Sequence, residues 1–358
     1  MEILIFTAVP GSYELLQNQK SSATKIIIID WQEFEYTRLF GREDVFDKIN
    51  DYCVEKGISL EIITGSSQQQ TLMHDQDNPR YGNLKIIKFP YYGTILGAHA
   101  ILGHEIFSLE HTDTLFDHYV DNWNLDLQFS FICLNSKPHW HRCTQMDMLA
   151  KHDLIKNNAV SWNSWRGYEG RKLEDTFNYP WKYWNPKILI LDDMPEGKLG
   201  WSGIFPIHYK RSYAQLVTES SFNQLYISEK CISAIVTNKP FLVSGCQGYH
   251  KMLSDYGFEL YDEIFDYSFD NVSDMETRYD LIAQNFKNIQ KYPLRELKEL
   301  TKEKTKRNKV HLENFLNDLN SWPPEILDFL EKNKHLELTL NFAYYNAIKI
   351  KKIKFIRD

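Results

Sequence analysis

Ser228, Glu229 and Lys230 stand in a row inside LYISEKCISAIV, residues 225–236. Serine is a strong helix N-cap, so Glu229 and Lys230 fall in the first turn of a helix that runs on through Cys231, Ile232, Ala234 and Ile235. An acid there is favoured by the helix dipole and needs no further cause. A lysine is not favoured unless an anion or solvent compensates it, and the free N–H groups of a helix start attract phosphate. A carboxylate suits the cis-diol of a ribose, and an ammonium beside free N–H groups suits phosphates. One helical turn therefore carries the means to hold a nucleotide. Glu219 ends the apolar run YAQLVTE, residues 213–219, just before this turn.

A second set of groups lies in LNSKPHWHR, residues 134–142, between an apolar run and an amphipathic one. This β-to-α loop brings Asn135, Lys137, His139, His141 and Arg142 together. Asn135, Lys137, His141 and Arg142 are its candidates for contact with a nucleotide, Arg142 because a guanidinium fork matches phosphate oxygens two at a time. His139 and His141 have no third ligand at a metal-site spacing, so no metal is expected. Asp75-Gln76-Asp77 has the Asp-x-Asp form of metal-dependent sugar transfer but sits in a polar loop, and Asp192-Asp193 precedes a Pro-Glu-Gly turn. Neither GxGxxG nor GxxxxGK[ST] occurs, which disfavours common dinucleotide and P-loop chemistry.

The elements needed to position these groups are legible as alternating runs. EILIFTAV (2–9), KIIIID (25–30), SLEIIT (59–64) and LKIIKF (84–89) read as strands, and VFDKINDYCVEKG (45–57) as a helix stopped by Gly57. Unbroken Ile and Leu runs imply burial on both faces, as in a parallel sheet covered by helices. A second series follows with LQFSFICLN (127–135), a helix from Cys143, KILIL (187–191), YAQLVTE (213–219) and KPFLVS (239–244). Residues 161–185 are Trp-rich and irregular, and residues 275–320 read as charged, solvent-facing helices. AIKIKKIKFIRD at the end reads as an edge strand or terminal helix.

At 358 residues two domains are expected. We read an N-terminal Rossmann-like domain over 1–125, a C-terminal one over 126–320 and a helical or extended tail over 321–358 packing back on the body. Hydrophobic residues make up 43% and aromatics 14%, which excludes long disorder. A net charge of −7 gives no global field for nucleic acid. Five scattered cysteines without a CxxC pair suggest a reduced compartment. No apolar run approaches the ~20 residues of a membrane span, and the first residues read as a strand, so a cytoplasmic protein is expected.

Residues 216–262 resemble the donor-binding region of GT-B glycosyltransferases, especially fucosyltransferase-like and virus- or phage-encoded relatives. Those chains carry a strand, a Thr/Ser-Glu-Lys helix start and a Pro-Phe/Val-Leu-Val strand ending in Gly, matched here by Ser228, Glu229, Lys230 and Lys239 to Gly245. Residues 131–162 are similar to the opening of the same domain, with Arg142 at the place of a phosphate-facing Arg. The resemblance implies two Rossmann-like α/β domains facing a cleft. It also implies a nucleotide-sugar as donor substrate without a further cofactor, Glu229 on the ribose, Lys230 on the phosphates, and transfer to a hydroxyl. A glycan is the expected acceptor, and DNA is a second option. A nucleotide- or glycan-binding protein without turnover is the alternative of a different class. Residues 1–125 match in layering only, so the base for the acceptor hydroxyl must come from local reading. Asp30, at the carboxyl end of KIIIID, is the candidate, with Glu33, Glu35 and His104 comparable to it.

Overall fold

The computed structural model describes residues 2–7, 23–29, 44–64, 84–88, 126–135, 138–162, 179–189, 191, 207–219, 222, 225, 227–317, 337–344 and 347–354. The chain divides into two compact units, Met1–Ile106 with Gln224–Ile227 and Asn314–Asp358, and Phe107–Asn223 with Ser228–Glu313.

The first unit is built on a six-stranded sheet. Its strands are β1 (Glu2–Thr7), β2 (Ala23–Ile29), β3 (Ser59–Thr64), β4 (Leu84–Lys88), β9 (Glu337–Tyr344) and β10 (Ala347–Lys354), in the order β10-β9-β1-β2-β3-β4. β1 pairs in parallel with both β2 and β9, and β2–β3 and β3–β4 are also parallel. β10 closes the edge antiparallel to β9, so AIKIKKIK is a strand, with lysines that suit an edge. β9 itself was not foreseen from ELTLNFAY. Helix α1 (Asp44–Lys56) ends where Gly57 turns left-handed, φ 65°, and Ile58 N–H bonds the Cys53 carbonyl at 2.8 Å.

The second unit has a four-stranded, all-parallel sheet in the order β6-β5-β7-β8: β5 (Phe129–Cys133), β6 (Ala159–Val160), β7 (Ser212–Thr218) and β8 (Phe241–Ser244). Every residue of β7 and β8 is buried, as unbroken apolar strands require when helices cover both faces. The helices are α2 (Trp140–Lys151), a short α3 (Ile207–Lys210), α4 (Glu229–Val236), α5 (Tyr249–Asp255), a 3-10 turn (Tyr267–Asn271), α6 (Met275–Ile289) and α7 (Leu294–Asn317). α6 packs on α2 and β5, where the Phe286 and Phe131 rings meet at 4.5 Å.

Both units are mixed α/β with parallel sheets. Three boundaries differ from the sequence reading. α2 starts at Trp140, three residues before Cys143, because Cys143 N–H already bonds the His139 carbonyl at 3.0 Å. Among its described residues KILIL joins neither sheet, and Leu189 makes an antiparallel bridge to Trp162. The fourth parallel strand is instead the two-residue β6, too short to carry a periodic signal.

Candidate functional site

All the described candidate residues gather at the carboxyl ends of β5, β7 and β8, the edge of a parallel sheet where ligands bind in open α/β folds. Ser228 caps α4 as its sequence predicts: its hydroxyl oxygen accepts the Lys230 N–H at 3.2 Å. The same hydroxyl donates to Glu219 Oε1 at 2.7 Å. Ser228 is fully buried, and both of those bonds are internal.

Glu219 does not present its carboxylate to solvent. It is fully buried, and Oε1 also accepts the Tyr249 hydroxyl at 3.0 Å and the Cys231 thiol at 3.5 Å. The carboxylate thus ties the end of β7 to the first turns of α4 and α5. Gly245 follows β8 in the same corner. A Cβ there would meet Tyr249 Cδ2 at 3.2 Å and Glu219 Cγ at 3.6 Å, so the close approach of β8's end to β7's favours the missing side chain.

His141 and Arg142 lie in the first turn of α2, not in the loop before it. Both are buried, and both turn to the backbone that leaves β7. His141 Nε2 donates to the Glu219 carbonyl at 2.7 Å, Arg142 Nε donates to the same oxygen at 3.1 Å, and Arg142 Nη2 donates to the Thr218 carbonyl at 3.2 Å. A parallel strand's last carbonyls have lost their ladder partners, and these side chains supply them. Burial, reinforced by the Arg142 charge, pushes the His141 imidazole down to about 3, so the ring is neutral with its proton on Nε2. Asn135 is interior as well: its side-chain oxygen accepts the Thr218 hydroxyl at 2.7 Å, and its N–H donates to Ser161 Oγ at 3.1 Å.

Lys230 is half-buried in the first turn of α4, and Glu229 is the residue before it on the helix. Lys137, Asp30, Glu33, Glu35, His104, Asp75 to Asp77 and Asp192-Asp193 lie outside the described residues. Among the described residues no group of three or more His, Cys, Asp or Glu could hold a metal ion. All five cysteines are free, and no described helix is long and apolar enough to cross a membrane.

Several residues at this edge were not singled out by sequence. His250 Nδ1 donates to Asp270 Oδ1 at 3.0 Å while its Nε2 accepts the Val243 N–H at 3.1 Å, joining β8, α5 and the 3-10 turn. Asp270 also accepts the N–H groups of His250 and Lys251, capping α5, whose own N-cap Gly248 is left-handed at φ 78° and offers no side chain. Asp147 of α2, fully buried, accepts the backbone N–H groups of Lys182, Tyr183 and Trp184 at 2.9, 2.8 and 2.8 Å. It fixes the Trp-bearing segment, where Trp162, Trp181 and Trp184 pack edge to face. Local sequence gives no sign of such partners, which lie up to 37 residues away.

No family model matches the sequence, and no curated protein matches it. Among solved structures the chain is similar to one described as the crystal structure of alpha1,3-fucosyltransferase, at 10% identity and a TM-score of 0.39, covering 90% of this chain and 92% of that one. A likeness that loose assigns neither residues nor an activity.

Proposed function

We propose that this protein is a glycosyltransferase that moves a sugar from a nucleotide-sugar to a hydroxyl acceptor without a metal ion. The observation that carries the reading is the start of α4: a serine-capped helix with Lys230 in its first turn, at the carboxyl edge of an all-parallel sheet. The resemblance of residues 131–162 and 216–262 to GT-B donor regions supports it.

In this reading the donor lies on the second unit, and the first unit serves the acceptor. Lys230 and the N–H groups of α4 hold the two phosphates, and Glu229 accepts hydrogen bonds from the ribose diol. Positive charge at the diphosphate stabilises the leaving group as the sugar passes through an oxocarbenium-like transition state. Asp30 takes the proton of the attacking hydroxyl. Arg142 adds its charge to the phosphate side while its Nε and one Nη hold the end of β7. The internal bonds of Glu219, Ser228, His141 and Asn135 give these four a positioning role: they hold α4 and the β7 exit still relative to the bound donor. A glycan is the acceptor we favour.

The test is a thermal-shift screen of the intact chain against nucleotide-sugars, followed by calorimetry on Lys230→Ala. A ligand that binds the native state raises its stability by mass action. Lys230→Ala should weaken donor binding by about 1 to 3 kcal/mol, the range for a charge-assisted contact. Unchanged affinity would remove Lys230 from the phosphates, and slow release of free sugar from the donor separates an enzyme from a binding protein.

A further inference from the structure

Arg278, in the first turn of α6, is 4% exposed. Its Nη1 donates to the Val272 carbonyl at 2.7 Å and, more weakly, to Ser273 at 3.5 Å, and the guanidinium also bonds the Tyr279 side chain. Its Nε is buried with no hydrogen-bond partner among the described residues, and no carboxylate there lies within ion-pair distance. Asp274, the N-cap of α6, sits in its field but spends its side chain on the Thr277 N–H at 2.8 Å. A buried guanidinium held by carbonyls and a phenol, with no carboxylate paired to it among the described residues, is an expensive arrangement for a fold to keep unless an anion completes it.

The position of this charge is informative. Arg278 lies against the Tyr279 ring, its guanidinium carbon 5.6 Å from the centroid, and the Tyr279 hydroxyl donates to the Gly245 carbonyl at the end of β8. The 3-10 turn that ends just before Val272 is itself tied to the turn after β8, through Gly248 N–H to the Asp270 carbonyl at 3.0 Å and Gln247 Nε2 to the Asn271 carbonyl at 2.9 Å. Burial raises the Tyr279 phenol above its ordinary range, and Arg278 and Arg142 both oppose that rise. Arg142 of α2, on the Glu219 and Thr218 carbonyls, and Arg278 of α6, beside Tyr279, are thus two buried arginines tied to the carboxyl edge of the sheet.

We propose that Arg278 is a second guanidinium contact for the diphosphate of a bound nucleotide, reaching it from α6 on the β8 side of the sheet edge. This rests on the donor reading above and adds a residue that neither the α4 motif nor the β5–α2 stretch contains. Lys230 then serves the diphosphate from the β7–α4 side and Arg278 from the β8–α6 side.

Calorimetry of the full chain with guanosine, uridine, cytidine and adenosine diphosphates, and with the matching uncharged nucleosides, tests it on the wild type, Arg278→Gln and Arg278→Lys. A phosphate contact predicts that Arg278→Gln weakens the diphosphate about tenfold to a hundredfold and the nucleoside by less than about twofold, with Arg278→Lys between. Unchanged diphosphate affinity, or an equal loss for diphosphate and nucleoside, overturns the contact and leaves Arg278 a clamp on the Val272–Ser273 carbonyls. If Arg278→Gln does not fold, Arg278→Lys decides the matter by the same ratio, because it keeps the charge and loses the fork. Wild-type chain that binds no diphosphate brings down the donor reading itself, and the Arg278 contact with it.

Discussion

The carboxylate of Glu219 is the hub of the sheet edge, and its value lies in what it accepts. Ser228, Tyr249 and Cys231 all point donors at Oε1. A glutamine keeps an oxygen there that can accept the same bonds, whereas an alanine leaves buried donors unmet, each costing about 1 to 3 kcal/mol. Glu219→Ala should lose about 3 kcal/mol in urea unfolding and Glu219→Gln about 1, and equal losses would place the importance of the residue elsewhere. His141 makes a prediction in pH. Its imidazole stays neutral in the fold down to about 3 but has an ordinary value of 6.5. Between those values the unfolded chain binds a proton that the native one does not, so stability is fully present above 6.5 and falls as pH falls. The slope is up to ~1.4 kcal/mol per unit, or about 2 kcal/mol by pH 5. His141→Gln keeps a donor for the Glu219 carbonyl and removes the titration, so the acid limb of its stability curve should flatten by up to one proton. An unaltered limb would mean that His141 is already protonated in the native chain. Both residues carry recognisable chemistry in the sequence, but their partners are backbone atoms and side chains brought in by tertiary structure. For that reason sequence alone put them at a ligand.

At the scale of elements, strong periodicity and capping were legible and short or mixed pieces were not. SLEIIT is β3 to the residue, Gly57 stops α1, and Ser228 starts α4. Each is specified locally, by a run of β-branched side chains, a left-handed turn or a hydroxyl cap. KILIL has the same composition as a strand, yet the neighbour of β5 on that side is Ala159–Val160. Two residues cannot announce themselves, and which apolar run wins a place beside β5 is decided by the whole unit. Asp147 is a tertiary device of this kind: from inside α2 it gathers three successive N–H groups of residues 182–184. An asparagine retains one acceptor oxygen and brings an amide group that needs partners of its own, so Asp147→Asn should destabilise by about 2 to 3 kcal/mol. It should also loosen the aromatic segment. Near-ultraviolet circular dichroism reads this directly, since Trp181 and Trp184 pack on Trp162, and a wild-type spectrum in the variant would show that the segment is held by its rings alone.

For the whole molecule, the alternation of apolar runs correctly implied α/β layering with parallel sheets in both halves. The contribution of the last residues was harder to see. ELTLNFAY and AIKIKKIK extend the sheet that begins at Glu2, a pairing across more than 300 residues that no local pattern encodes. The candidate site draws its described residues from the second unit alone, and this gives the donor reading a spatial signature. A nucleotide-sugar bound at the sheet edge adds stability by mass action, about 2.7 kcal/mol at a hundredfold excess over its Kd. That stability must appear as slower amide exchange where the ligand is held. With donor present, protection should rise in residues 228–231 at the start of α4, in 245–250 after β8, and in 272–279 if Arg278 contributes. β9 and β10 should exchange as they do in the free protein. Protection that reaches 228–231 and 245–250 but not 272–279 supports the donor reading without the Arg278 contact. Protection confined to the six-stranded sheet would put the nucleotide on the other unit, and the assignment of Lys230 and Glu229 would fall with it.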